Sequence, residues 1–147
     1  MTKQVEFFID LDGTLAGSSE WKGFFRNTIE LFKGPRFEIP IINWSILTAR
    51  PKVDRIIIKG FCKKFKLYPK EIITTDTYFY HFMSETEITI WKSNILMQRA
   101  NENLFNDKVV YVDDNVEIRS KIIKHPKLIT CSSKNIKNIL KKGSNEW

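Results

Sequence analysis

The order of strand and helix patterns in this sequence predicts an α/β fold, built as a doubly wound parallel sheet of about five strands with helices on both faces. Apolar, strand-like runs alternate with amphipathic segments, and the connections between them are short. Such alternation is typical of parallel sheets, in which each crossover returns the chain to the same edge. A length of 147 residues suits one domain with a substantial core, so we expect a single domain over 1–147.

The first predicted strand carries the most informative motif. An apolar run from Val5 leads to Asp10 and Asp12, and Gly13-Thr14 then breaks the strand. Alternation would place both carboxylates on the same side of the strand, where like charges repel unless a cation or a shared proton compensates. Oxygen ligands of this kind suit Mg²⁺ better than zinc or copper. We therefore expect a divalent metal at this strand end.

The next segments predict a short helix or flap over 20–33, a second strand over 39–47 and a helix from Pro51 to Leu67. Thr48-Ala49-Arg50 lies between that strand and helix, and proline is well tolerated in a first helical turn. Periodicity assigns the helix an apolar face. Its members are Val53, Ile56, Ile57, Phe61 and Phe65.

The opposite face of the same helix is basic. Cations recur at intervals of three and four residues, at Lys52, Arg55, Lys59, Lys63 and Lys66. Together with a net charge of +7, this basic stripe favours an acidic partner, nucleic acid above all. The predicted substrate-binding residues are Arg50, Lys52, Lys59 and Lys63. A lysine stripe is also the ordinary solvated side of an amphipathic helix, so both interpretations stay open.

The second half of the chain continues the alternation of strands and helices. It predicts a strand over 71–75, a helix over 89–104, a strand over 108–112, a helix over 116–125, a strand over 127–131 and a helix over 134–142. An aromatic cluster of Tyr78, Phe79, Tyr80 and Phe82 precedes the helix over 89–104, and could stack an unpaired base or belong to the core. The helix is expected to turn Ile90, Ile95, Leu96 and Met97 inward.

Polar residues follow three of the predicted strands. These residues are Asp10 and Asp12, Thr48, and Asp113 with Asp114. Parallel sheets bind ligands beyond the carboxyl ends of their strands, where the strand order reverses. Chance could supply one such group but is a poor explanation for three, so we expect them to share one site.

In order and spacing, these motifs resemble the four motifs of the haloacid dehalogenase superfamily. The matching segments are D-L-D-G-T-L from Asp10, L-T-A-R from Leu47, I-W-K-S-N-I around Lys92 and V-V-Y-V-D-D-N from Val109. The resemblance implies a Rossmann-like core and Mg²⁺-dependent phosphoryl transfer through an aspartyl-phosphate. An acid at position 12 favours the phosphatase or phosphomutase branches, because dehalogenase-like members and ion-pumping ATPases lack one there.

The same resemblance assigns roles to individual residues. Asp10 is expected to be the nucleophile and Asp12 the general acid and base. Thr48 would hydrogen-bond the phosphoryl oxygens and Lys92 would neutralise them, although Lys70 or Lys108 could compete for that role. The expected metal ligands are drawn from Asp10, Asp12, Asp113 and Asp114.

The expected substrate follows from the lack of room for a large cap domain. Capless members of the superfamily tend to act on macromolecules, and I-W-K-S and V-V-Y-V-D-D are similar to the polynucleotide 3′-phosphatase domains. We expect a phosphatase of DNA or RNA ends. The alternatives are a small-molecule phosphatase, such as a nucleoside monophosphate 5′-nucleotidase, and a non-catalytic binding module. No P-loop motif occurs, so any kinase step would need another protein.

The remaining features point to an ordinary cytoplasmic protein. No apolar run is long enough to span a bilayer, and no leader pattern precedes the first strand, so we expect no membrane contact. Cys62 and Cys131 are far apart in apolar contexts, which predicts buried thiols in a reducing compartment. His81 and His125 lack catalytic partners and are expected to be structural.

Overall fold

The computed structural model describes residues 5–41, 43–77, 83–102 and 108–142. Its sheet has five parallel strands in the order β3-β2-β1-β4-β5. They are β1 (Val5–Ile9), β2 (Trp44–Leu47), β3 (Ile72–Ile73), β4 (Lys108–Val112) and β5 (Leu128–Cys131). The prediction of a doubly wound, Rossmann-like parallel sheet is confirmed, because the chain winds outward from β1 to β3 and then crosses back to β4 on the other side of β1.

Helices connect the strands in the manner that the alternation predicts. They are α1 (Phe24–Leu31), α2 (Arg55–Lys64), α3 (Glu85–Glu102), α4 (Val116–Lys121) and α5 (Ile136–Lys142), and short 3₁₀ turns precede α2 and α5. Two apolar clusters form on opposite faces of the sheet. One includes Phe7 with residues of α1, α2 and α5, and the other includes Phe8 with residues of α3. The helices therefore cover both faces, as expected.

The register of the two central strands positions the site. Ile9 of β1 pairs with Val112 of β4, and the Asp10 amide continues the ladder by donating to the Val112 carbonyl at 2.9 Å. Asp113 continues β4 in the same way, donating to the Cys131 carbonyl at 3.0 Å. Asp10 and Asp113 consequently leave the sheet side by side, at the point where the strand order reverses.

Asp10 and Asp12 do not alternate within a strand, because β1 ends at Ile9. A tight loop follows, in which the Leu15 amide donates to the Asp10 carbonyl at 3.1 Å. Gly13 has a φ of 81°, and a Cβ there would lie 2.8 Å from the Cβ and the amide nitrogen of Ser19. The loop therefore requires glycine at position 13 on both conformational and steric grounds.

Several predicted boundaries are wrong. The strand predicted over 39–47 begins only at Trp44, the strand over 71–75 is reduced to two residues, and α4 ends at Lys121 instead of continuing to His125. α3 begins at Glu85, four residues early, because Ser84 and Glu87 form a reciprocal capping box. That S-x-x-E signal is present in the sequence.

The predicted inward faces of α2 and α3 are also partly wrong. Ile56 is 81% exposed, while Ile58 and Cys62 are buried instead. Ile56 and Ile58 both belong to α2, and two positions that are two apart on an α-helix face nearly opposite sides, so the side of α2 that buries Ile58, Phe61 and Cys62 leaves Ile56 in solvent. Ile90 is 55% exposed, because this turn of α3 buries polar side chains, among them Lys92, above the strand ends.

Cys62 and Cys131 are free and buried, as predicted. Burial raises the pKa of the Cys62 thiol to about 11 and that of the Cys131 thiol to about 12.

Within the described ranges, none of the helices combines the length and the apolar character needed to cross a bilayer.

Candidate functional site

Most of the residues singled out from the sequence meet in one cavity at the carboxyl edge of the sheet. The cavity has a volume of about 490 Å³, within the roughly 300–1,000 Å³ typical of small-ligand sites. Its lining includes residues from the loops after β1, β2 and β4 and from α3: Asp10, Asp12, Thr48, Arg50, Lys92, Asp113 and Asp114. The shared site expected from three strand ends is therefore present.

Asp10 is held by a lysine and a hydroxyl. The Nζ of Lys92 donates to Asp10 Oδ1 at 2.7 Å, and the Thr14 Oγ1 donates to Oδ2 at 3.0 Å. The Lys92 side chain is only 2% exposed, so α3 delivers a buried ammonium to the end of β1. The competing candidates lie elsewhere, because Lys70 pairs with Glu6 and Lys108 donates to the Pro126 carbonyl.

The charge balance around Asp10 is unfavourable despite this lysine. Burial, with a smaller contribution from the nearby Asp113, raises the pKa of Asp10 from its usual 3.8 to about 7. Lys92 opposes this rise. The Lys92 Nζ also lies 3.8 Å from Asp113 Oδ2. One ammonium thus serves two carboxylates, and the pair is short of positive charge.

Tyr111 completes this group, and the sequence reading did not identify it. Its hydroxyl accepts a hydrogen bond from the Lys92 Nζ at 2.7 Å and donates to Asp113 Oδ2 at 2.6 Å. The side chain is fully buried, and burial together with Asp10 and Asp113 holds the pKa of Tyr111 well above its usual range. A signal existed, since residues 111 and 113 are two apart on a strand and share a face.

Thr14 joins two loops of the site through a single hydroxyl. While its Oγ1 donates to Asp10, it accepts a hydrogen bond from the Asp114 amide at 3.0 Å. Asp113 is fixed separately, because its Oδ1 accepts from the Asn115 amide at 2.9 Å. The motif threonine therefore ties the Asp10 carboxylate to the backbone of the loop that follows β4.

Asp12 lies in a second ion-pair network, with Arg50 and Asp54. The Arg50 Nε and Nη2 donate to the two carboxylate oxygens of Asp12 at 2.8 Å and 2.7 Å, and Nη1 donates to Asp54 at 3.3 Å. Arg50 and Asp54 are buried, whereas Asp12 is 24% exposed. Arg50, predicted to bind substrate, is thus a direct partner of Asp12. The spacing of four residues between Arg50 and Asp54 could have indicated their pairing.

The other predicted site residues occupy different places. Thr48 lines the cavity and is buried, with its Oγ1 accepting from the Arg50 amide at 3.2 Å. Asp114 is engaged by Ser133, whose amide and hydroxyl donate to its two carboxylate oxygens at 2.7 Å and 2.9 Å. The side chains of Lys52, Lys59 and Lys63 are exposed, and none of them lines the cavity.

The carboxylates at the ends of β1 and β4 form the candidate site for a divalent cation. Within the described parts of the chain, no three acidic, histidine or cysteine side chains form a ready-made metal cluster. Asp10 and Asp113 nevertheless offer only oxygen donors, share one ammonium, and carry negative charge that burial disfavours. A hard dication would relieve that deficit, so this pair fits Mg²⁺ in its chemistry.

His125 does not line the cavity. His125 contacts Asn101 and accepts from the Lys127 amide, which agrees with a structural role. His81 and the predicted cluster at Tyr78, Phe79, Tyr80 and Phe82 fall outside the described residues.

No protein-family model, curated protein or solved structure matches this chain. Function is therefore inferred from the motifs and from the geometry of the site.

The raised pKa of Asp10 predicts a pH-dependent stability. A carboxyl whose pKa is higher in the folded state binds more protons there, so its stabilising effect is complete below the unfolded pKa and is lost as pH rises through about 7. With a chelator present, the free energy of unfolding should therefore fall as the pH rises from about 4 to about 7. Asp10→Asn should flatten this slope in urea titrations, and equal slopes would contradict the assignment.

Tyr111→Phe tests the bridge between Lys92 and Asp113. Loss of the hydroxyl leaves a buried ammonium and a buried carboxylate each one partner short, which should cost about 1–3 kcal/mol of unfolding free energy. Tyr68→Phe provides a matched control, because Tyr68 is 79% exposed and its change should stay within about 0.5 kcal/mol. Equal stability of the two variants in urea denaturation would refute the bridge.

Proposed function

We propose that this protein is a Mg²⁺-dependent phosphoric monoester hydrolase that acts through an aspartyl-phosphate on Asp10, with phosphorylated nucleic-acid ends as substrates. The observation that carries the proposal is the pairing of Asp10 with the buried Lys92 in a cavity at the point where strand order reverses. The four motifs that resemble those of the haloacid dehalogenase superfamily support the same reaction.

The proposed reaction proceeds in two displacements. A carboxylate oxygen of Asp10 attacks phosphorus, the bond from phosphorus to the leaving oxygen breaks, and Asp12 gives that oxygen a proton. Asp12 then accepts a proton from water as the water attacks phosphorus, and the bond to Asp10 breaks. Lys92 and the Thr48 hydroxyl would stabilise the negative charge of the phosphoryl oxygens.

The Arg50 pair gives Asp12 a defined orientation for this role. Both carboxylate oxygens accept from the guanidinium, and each oxygen retains a lone pair that could carry the transferred proton. Asp54 in turn contacts Arg50 from the start of α2. We infer that Arg50 acts on Asp12 in addition to any contact that it makes with substrate.

Asp10 and Asp113 are the residues that would hold Mg²⁺, and the ion would neutralise phosphate charge during transfer. Asp12 and Asp114, also expected as ligands from the sequence, are engaged by Arg50 and Ser133. Their side chains would have to exchange these partners in order to coordinate metal directly.

Nucleic acid is favoured by the net charge of +7 and by the connections around the site. Between β1 and β2 the described residues contain a single helix of eight residues, α1, which is far too small to be a cap domain.

The cavity volume favours the second candidate, a phosphatase of mononucleotides or similar small molecules. A cytoplasmic location belongs to the same proposal, since both cysteines are free thiols.

Asp10→Asn should reduce Mg²⁺-dependent hydrolysis of an aryl phosphate on the order of 10³-fold or more, because the amide cannot act as the nucleophile. Glu38→Gln is the control, since it makes the same change at an exposed site outside the catalytic cavity. Equal activity of Asp10→Asn and wild type would remove Asp10 as the nucleophile.

A binding measurement separates the loss of metal from the loss of the nucleophile in this variant. Mg²⁺ should raise the thermal midpoint of the wild type at about pH 8, where Asp10 is ionised, and should have less effect on Asp10→Asn.

The basic stripe is tested by Lys59→Glu combined with Lys63→Glu. If the stripe binds a polynucleotide, KM for a 3′-phosphorylated oligonucleotide should rise about 10-fold while turnover of an aryl phosphate stays unchanged. The substrate panel should include 3′-phosphorylated DNA and RNA, 5′-phosphorylated strands and mononucleotides at fixed Mg²⁺.

The matched control is Lys137→Glu with Lys141→Glu, which makes the same charge change on α5, the helix that follows the edge strand β5. If both double variants affect the oligonucleotide alike, the effect is one of net charge. If neither does, the stripe is a solvated helix face.

A further inference from the structure

Trp21 stands at the mouth of the catalytic cavity. Its side chain lines the same space as Asp10 and Asp12, yet it remains 45% exposed. An aromatic side chain that lines a cavity and stays partly exposed offers a flat apolar surface to a ligand. Trp21 belongs to the segment over 20–33 that the sequence predicts as a short helix or flap.

The backbone on both sides of Trp21 is fixed by one buried side chain. Asn27 of α1 is 4% exposed; its Oδ1 accepts from the Lys22 amide at 2.7 Å, and its Nδ2 donates to the Glu20 carbonyl at 3.0 Å. The oxygen and the nitrogen of the Asn27 side-chain amide thus both hydrogen-bond the backbone of the residues that flank Trp21. The indole is therefore carried by a preorganised turn, which lowers the entropy cost of binding against it.

The surroundings of Trp21 combine apolar surface with positive charge. Ile88 and Ile118 line the cavity with it, and Arg36 lines the same cavity while its guanidinium donates to the Gly13 carbonyl. Lys22, next to Trp21, is exposed. A nucleotide has a flat aromatic base and a negatively charged phosphate. It therefore complements a site that combines apolar surface with positive charge.

The cavity is also larger than a phosphate alone requires. With about 490 Å³ it can accept the sugar and base that carry the phosphate. A phosphoryl group placed beside Asp10 and Lys92 would leave room for the rest of its nucleotide in the cavity, which Trp21 also lines.

We propose that Trp21 is the stacking platform for the base of the terminal nucleotide in a single-stranded, phosphorylated nucleic-acid end. This inference rests on the proposed phosphatase function and specifies its substrate. The base lies against the indole, while Lys22 and Arg36 supply positive charge for the phosphates of the strand. The platform is independent of the basic stripe on α2.

The test compares two substrates that differ only at the terminal base. One is a short 3′-phosphorylated oligothymidylate, and the other is the same strand with an abasic terminal nucleotide. For wild type, the abasic strand should have a KM about 10-fold higher, the effect of losing one stacked base. Trp21→Ala should raise KM for the intact strand by the same factor and leave the abasic strand unchanged, with kcat little altered for either.

Two variants serve as controls in this comparison. Trp21→Phe should recover most of the affinity, because a phenyl ring still stacks. Ile29→Ala should behave as wild type, since Ile29 is 62% exposed on α1 but does not line the cavity. Unchanged thermal midpoints would establish that each variant folds.

Each alternative result has a distinct meaning. Equal KM values of wild type for the two strands would overturn the platform and leave the phosphatase function standing. If thymidine monophosphate has a KM no higher than that of the strand, the nucleic-acid part of the proposal is wrong. If wild type hydrolyses none of these phosphates, the proposed function fails, and fluorescence anisotropy with the same two strands still tests the platform. Equal affinities would then overturn it.

Discussion

The site depends on one buried ammonium. Lys92 reaches from α3 to the strand ends and contacts Asp10 directly, with Asp113 3.8 Å away. Removing it would leave two carboxylates uncompensated in an environment that already raises the pKa of Asp10 to about 7. Helix α3 places this charge at the strand ends. Its apolar residues Leu96 and Ala100 pack on the core of the second sheet face, while its first turns bury polar side chains. Packing and site electrostatics therefore share one helix.

Two carboxylates separated by a single residue acquire different surroundings in this arrangement. Asp10 is buried beside a lysine that it shares with Asp113, whereas Asp12 is partly exposed and paired with the planar guanidinium of Arg50. An ammonium interacts as a compact charge, while a guanidinium fixes the plane of the carboxylate that it binds. The difference suits a pair in which one group attacks phosphorus and the other transfers protons. It arises because β1 ends before both residues, so that the loop can direct them to separate partners.

Much of the architecture was predictable, because alternating apolar and amphipathic segments specify a parallel sheet, and its strand ends must meet. The convergence of Asp10, Thr48 and Asp113 followed from that reasoning, whereas Lys92 was expected there only from the resemblance to the superfamily motifs. Tyr111 was missed because a tyrosine in an apolar strand resembles core, and its bridging role depends on which side chains reach it from α3. The face of α2 was misassigned because Ile56 was grouped with Phe61, although Ile56 lies on the side of the helix opposite Ile58. In a helix that is rich in apolar residues, apolar character alone does not identify the side that packs on the sheet.

The hydroxyl of Thr14 has a consequence for how the molecule matures. It links Asp10, at the first strand, to the backbone of Asp114, 100 residues further along the chain than Thr14 itself. A nascent chain that ends before β4 has neither Asp113 nor the amide that Thr14 binds, so the Asp10 carboxylate lacks these partners. Contacts of such long range are slow to form, because their loop-closure entropy must be overcome first. The surroundings of Asp10, and with them the activity proposed above, would therefore be complete only in the finished sheet.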